Sequence, residues 1–134
     1  MATRSNINVK VGNLYHVIYC HNNGYIEHNG KLLFENYNSQ ELAEKLVSGG
    51  DLSSLDKSSD KVEGHSFDNR VDGYCVYYKR DRGEENCEAI ITEDICDDNA
   101  FSYVWNGSEW RVYSKYEDYN NASLEQVLRE ENLI

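Results

Sequence analysis

The chain contains no proline, where average usage would place roughly seven in this length. Its turns therefore fall to Gly, Asn and Asp, which reach left-handed backbone conformations at little cost. Cations are also scarce. Lys and Arg number 13 against 24 Asp and Glu, a formal charge of −11. Phosphate-backbone binding favours net positive charge, so direct nucleic-acid binding is not expected. No apolar run approaches the roughly 18 residues of a membrane span, and residues 1–10 lack the apolar core of a secretory signal. The four cysteines, Cys20, Cys75, Cys87 and Cys96, include no Cys-x-x-Cys pair. We read them as reduced thiols of a cytosolic chain. A zinc site is the alternative, raised by adjacent Cys20 and His21 with His28 and His65 elsewhere, but the short ligand spacings of zinc sites are missing. No Walker loop, Gly-x-Ser-x-Gly or dinucleotide fingerprint occurs. No cofactor or metal is expected.

What is present suits one domain, residues 1–134. Apolar residues make up 40% and tyrosine alone 11 positions, enough for a core without disulfide or metal support. Ile7, Val9 and Val11 alternate with polar residues, as do Leu14, His16, Ile18 and Cys20, on either side of Gly12-Asn13. This predicts a hairpin with Val9 facing His16 and Ile7 facing Ile18. His16 then lies on an apolar face. Asn29 should cap a short helix over 31–37. Asn38 with Glu41 should start a second helix with a Leu42, Leu46 and Val47 stripe, closed by Gly49-Gly50. Asp51–Leu55 reads as one more helical turn, and 56–72 as the longest loop.

The second half reads as a meander. Strands are expected over 74–79, 87–92, 101–105 and 110–113. A two-residue Asn106-Gly107 turn would set Tyr103 opposite Trp110 and Phe101 opposite Val112. This aromatic set is read as core rather than as a ligand cage. Ser123 with Gln126 forms a capping box for a last helix. The expected fold is α+β, an antiparallel sheet of about five or six strands with two or three helices packed on one face.

Three stretches stand out as chemistry: Thr3-Arg4-Ser5-Asn6, Cys20-His21-Asn22-Asn23-Gly24-Tyr25 and Arg80-Asp81-Arg82-Gly83-Glu84. Arginine grips phosphate or carboxylate bidentately, and a local cation cluster in an acidic protein focuses small anions. The candidate ligand-binding set is Arg4, His21, Tyr25, His65, Arg80 and Arg82. Strand-end reasoning adds that, if the strands of His21 and Arg80 run in the same sense, Arg4, Arg80 and Arg82 converge on His21. The competing reading pairs Arg80 and Arg82 with Asp81, Glu84 and Glu85 in a solvated loop. Asp94, Asp97 and Asp98 read as a solvated acidic turn, not a calcium loop.

The ordered strings Thr3-Arg4-Ser5-Asn6-Ile7, Tyr19-Cys20-His21, Gly24-Tyr25, Asn29-Gly30-Lys31, Gly50-Asp51-Leu52-Ser53-Ser54-Leu55, His65-Ser66-Phe67-Asp68 and Arg80-Asp81-Arg82-Gly83-Glu84 resemble a family of small tailed-bacteriophage accessory proteins. Family members often carry Trp-Asp between the His and the Gly, and Pro after the Tyr. This chain has Asn22-Asn23 and Ile26 there, which leaves Tyr25 to supply any stacking ring. The resemblance implies a phage accessory protein acting in the cytoplasm of the infected bacterium; a counter-defence or host-takeover role is the leading hypothesis within that setting. Three functions follow as expectations. The first is a binding module that sequesters a small anionic ligand, a nucleotide immune signal being the leading candidate. The second is an acidic inhibitor of a host defence or nucleic-acid-binding protein. The third is a small phosphodiesterase with His21 and His65 as acid and base.

Overall fold

The structure, a computed structural model, describes residues 2–134. The expected first hairpin forms. β1 (Ser5–Val11) pairs antiparallel with β2 (Leu14–Cys20), with Ile7 opposite Ile18 and Val9 opposite His16. Gly12 makes the turn at φ +64°, where an L-residue would be strained. His16 ends up half-buried rather than in the core.

The helical region departs from expectation at its caps. A wide turn of π-helix over Ile26–Gly30 leads directly into α1 (Lys31–Asn36). Asn29 therefore does not cap. It is fully buried, and its Nδ2 donates to Ser5 Oγ, Cys20 Sγ and the Asn22 carbonyl. α2 (Gln40–Ser48) is capped by Ser39, whose Oγ accepts the Leu42 N–H, rather than by Asn38. This places Ala43, Leu46 and Val47 inward and leaves Leu42 exposed. The chain turns at Gly50, φ +85°, where a Cβ would lie 2.2 Å from the Cys87 carbonyl oxygen.

Asp51–Leu55 is not a helical turn. β3 (Leu52–Ser54) extends the sheet parallel to β2, with Leu52 beside Cys20. The Leu52 and Ser53 carbonyls accept from the His21 and Asn22 N–H groups. Those ladder bonds outcompete the local turn that the two serine hydroxyls could close. The strand expected over 74–79 is cut to β4 (Val76–Tyr77), antiparallel to β3. It runs directly into α3 (Tyr78–Arg82), because the Asp81 carboxylate accepts the Tyr77 N–H at 2.8 Å and curls the chain. β5 (Ile90–Thr92) pairs with β2 below β3.

β6 (Phe101–Trp105) lies parallel to β1, and β7 (Trp110–Ser114) and β8 (Tyr119–Ser123) follow antiparallel. The sheet thus has eight strands in the order β4-β3-β2-β1-β6-β7-β8, with β5 on β2. It is mostly antiparallel, and it exceeds the expected five or six strands because 52–54 and 119–123 join it. α1, α2 and α4 (Leu124–Glu130) cover one face, and Ser123 caps α4 as expected. No helix among the described residues is long and apolar enough to cross a membrane.

The β6–β7 register is two residues away from the expected one. Trp105 pairs with Trp110, Tyr103 with Val112 and Phe101 with Ser114. The Asn106 side chain accepts from the Ser108 and Glu109 N–H groups, so the connection holds four residues instead of two. A shift of two leaves every side chain on its own face, and the aromatic set is core as expected. The Trp105 and Trp110 rings meet edge-on at 5.6 Å, and Trp110 Nε1 donates to the Tyr37 carbonyl. Buried tyrosines tie loops to the core through their hydroxyls. Tyr37 donates to the Asp56 carbonyl, Tyr77 to that of Leu46 and Tyr103 to that of Gly24, each at 2.6 Å.

Trp110→Ala should cost about 3–5 kcal/mol, by cavity formation beside Tyr37 and Trp105; the urea midpoint measures it. The four thiols are free in the structure. Burial pushes the fully enclosed Cys20 thiol up to about 12 and also raises that of Cys75. Under native conditions a thiol reagent should therefore label Cys87 and Cys96 first, and Cys20 and Cys75 only on unfolding.

Candidate functional site

The six candidate residues do not converge. They divide among four places.

Arg80 and His65 belong to a buried network around Asp81. The Asp81 carboxylate, with no exposed side-chain surface, takes Arg80 Nε at 2.9 Å and Nη2 at 3.0 Å, a bidentate grip. Arg80 also donates to the Ser59 and Cys75 carbonyls and stacks on Tyr77 at 4.6 Å. Lys61 Nζ stands 3.5 Å from Asp81 on the other side. His65 is buried, and both of its ring nitrogens are engaged. Nδ1 accepts the Val71 N–H, so Nε2 carries the proton and donates to the Cys75 carbonyl. This arrangement fixes the tautomer. Burial alone would raise the Asp81 carboxyl, but its hydrogen bonds from Arg80 and the Tyr77 N–H, with the Arg80 charge, hold it below the usual range. The network anchors the long 56–72 loop against α3. It offers neither a free guanidinium nor a free imidazole, so a His21–His65 acid–base pair does not form.

Arg82 lies on the surface. Its guanidinium sits 4.6 Å over the Phe67 ring and 3.4 Å from Glu84. The convergence expected for Arg80 and Arg82 required their strand to run in the sense of β2. It does not, because β3 is parallel to β2 and β4 antiparallel to β3. Tyr25 is separate again. Its hydroxyl donates to Asn23 Oδ1, and it lines a concavity with Glu27, Glu117 and Glu131, where an anion would be repelled.

Arg4 and His21 do share a rim. Continuing the β1–β2 register places them opposite each other, on the face away from the helices. Gly24 N–H donates to the Thr3 carbonyl at 2.8 Å, and a Cβ at Gly24 would strike that oxygen at the same distance. Only glycine lets the 22–25 loop clamp the segment before β1. Tyr19 Oη and His21 Nδ1 share a 2.6 Å hydrogen bond. Burial raises the Tyr19 phenol, and the nearby Arg4 charge opposes the rise.

On its other side Arg4 faces residues that sequence reasoning missed. Parallel pairing of β1 with β6 brings residue 100 beside Arg4, and the β6–β7 register brings Lys115 beside Ala100. A cleft of about 360 Å³ results, lined by Ala2, Arg4, Asp98, Asn99, Ala100, Lys115 and Tyr116. Ser114 Oγ accepts from the Tyr116 and Glu117 N–H groups and shapes the turn that carries Lys115 and Tyr116. Tyr116 is 76% exposed. Neither Arg4 nor Lys115 joins an ion pair among the described residues. The one carboxylate in the lining, Asp98, accepts from Asn6 Nδ2 at 2.7 Å. A neighbouring concavity of about 520 Å³ shares Lys115 and Tyr116 but adds Asp97 and Asp118, which cancel the attraction. The signal for this cleft, a Ser-Lys-Tyr turn after a strand, was present in the sequence. Its proximity to Arg4 depends on a parallel pairing that no local pattern encodes.

Among the described residues no group of three His, Cys, Asp or Glu side chains could hold a metal ion. No protein-family model, curated protein or solved structure matches the chain.

Asp81→Ala should cost about 3–5 kcal/mol, since it leaves Arg80 partly buried and unpaired. The depressed Asp81 carboxyl also sets a pH dependence. Its stabilisation is complete above the unfolded-state value near 4 and drains away as pH falls toward the lower folded-state value. Between pH 5 and 3 the wild-type melting temperature should therefore fall more steeply than that of Asp81→Asn.

Proposed function

We propose that the protein is a binding module that sequesters a small anionic ligand, with Arg4 and Lys115 as its anion contacts and Tyr116 as a stacking platform. The observation that carries this reading is the placement of two cations that join no ion pair among the described residues, against the single carboxylate of Asp98, on one cleft in a chain of charge −11. Their repulsion is relieved when an anion lies between them. The cleft volume falls within the range of small-molecule sites. The exposed Tyr116 ring favours a ligand with an aromatic part, and a nucleotide meets both requirements. His21, opposite Arg4 in the continued β1–β2 register and hydrogen-bonded to Tyr19, adds a polar group beside Arg4.

The resemblance to small tailed-phage accessory proteins suggests the setting, the cytoplasm of an infected bacterium, and there the nucleotide we propose is an immune signal. Capture without turnover accords with His65 being locked in the Asp81 network.

Calorimetric titration with adenosine monophosphate and with inorganic phosphate tests the proposal. Arg4→Ala and Lys115→Ala should each weaken nucleotide binding by roughly tenfold or more, as loss of a charged contact does. Tyr116→Ala should weaken the nucleotide and leave phosphate unchanged. Arg80→Ala should lower the melting temperature without a local effect on the cleft. Binding that is indifferent to Arg4 and Lys115 would refute the assignment.

A further inference from the structure

One sheet edge is built unlike the rest. β5 hydrogen-bonds to β2 along one side only, with Tyr15 opposite Thr92 and Val17 opposite Ile90. Among the described residues no strand pairs with its other side. An unpaired strand edge is a template for another chain, and proteins ordinarily blunt such edges with lysine, proline or a covering loop. β5 is short, at three residues, but it carries neither lysine nor proline. Ile90 is 62% exposed and Ile91 58% exposed. The two point to opposite faces of the strand, so the edge presents apolar surface on both sides of its free backbone groups.

The surroundings define the partner's charge. From Gly83 to Trp110 the sequence holds no lysine or arginine. Glu88, Glu93, Asp94, Asp97 and Asp98 flank β5 in that stretch, all exposed. Glu88 is engaged by Lys79 at 3.3 Å, and Asp98 by Asn6. Glu93, Asp94 and Asp97 join no ion pair among the described residues. A second copy of this chain would bring the same carboxylates against them, and like charges across an interface are costly.

We infer that the β5 edge is a docking site for a partner protein that adds an extended strand, with apolar residues against Ile90 and Ile91 and Lys or Arg at its ends. Main-chain hydrogen bonds would supply affinity, the isoleucines side-chain selection, and the flanking carboxylates orientation and encounter rate. The edge lies on β5 and its flanks, and neither Arg4 nor Lys115 contributes to it. This inference is independent of the anion cleft.

The test is selection of a displayed library of random decapeptides on the full-length protein, repeated on Ile90→Lys/Ile91→Lys. Both isoleucines are exposed, so the double variant should keep the wild-type melting temperature, which is checked first. The expected result is enrichment of peptides alternating apolar residues between basic ends. Their affinity should drop by roughly tenfold or more on the double variant, as for a central contact, and weaken with added salt. Arg4→Ala should leave it unchanged. Backbone amides of residues 90–92 should gain hydrogen-exchange protection on binding. Three results would overturn the inference. One is no enrichment. Another is equal binding by the double variant or by proline-interrupted peptides, which signals bulk charge attraction. The third is self-association of the protein that the double variant abolishes, which makes a second copy the occupant.

Discussion

A buried carboxylate organises the half of the molecule that lacks regular structure. Asp81 has no exposed side-chain surface, yet it sits among groups that bear or donate hydrogen: the Arg80 fork, the Tyr77 amide and Lys61, with His65 nearby. An ionised carboxylate removed from water is tolerable only when so surrounded. Two partners, Tyr77 and Arg80, come from its own segment and two, Lys61 and His65, from the 56–72 loop, so satisfying Asp81 pins that loop, ends β4 and starts α3. The arginine with the most evident charge chemistry in the sequence, Arg80, is consumed by this requirement. The identity of the residue next to it, Asp81, decides its role.

Much of the fold was legible where local chemistry and tertiary packing agree. Period-two alternation around Gly12-Asn13 located the first hairpin and its register, and the Ser123 cap located α4. Legibility failed where long-range pairing overrode a local preference. Ser53 and Ser54 suggested a helical turn, but the open edge at Cys20 recruited them into β3. Asn106-Gly107 suggested a two-residue turn. The Asn106 side chain instead gathered the Ser108 and Glu109 amides and lengthened the loop by two. Burial of Trp110 survived because a shift of two preserves the face.

The candidate site shows the same division. Arg4 and His21 were placed together correctly, because antiparallel pairing makes strand ends coincide. Arg80 and Arg82 were misplaced, because their convergence needed β4 to run in the sense of β2, and the antiparallel β3–β4 pairing reverses it. Lys115 and Tyr116 were missed, because parallel pairing of β1 with β6 joins segments nearly a hundred residues apart. Parallel neighbours leave no turn signal in the sequence between them.

The charge of −11 also acquires two distinct consequences from this geometry. At ionic strengths near physiological, screening confines exposed charges to about 8 Å. At contact distance the field in the cleft is therefore set by Arg4, Lys115 and the hydrogen-bonded Asp98, not by the distant acidic surface. A small anion experiences the local cations. A long polyanion would also lie along the carboxylates around it, and like charges repel. The same carboxylates stand beside the uncovered edge of β5, where repulsion between identical copies performs the protective task that lysine or proline performs elsewhere. An acidic surface is thus compatible with both proposals, an anion at the Arg4–Lys115 cleft and a basic strand at β5, while its like charges oppose a polyanion or a second copy at the same places.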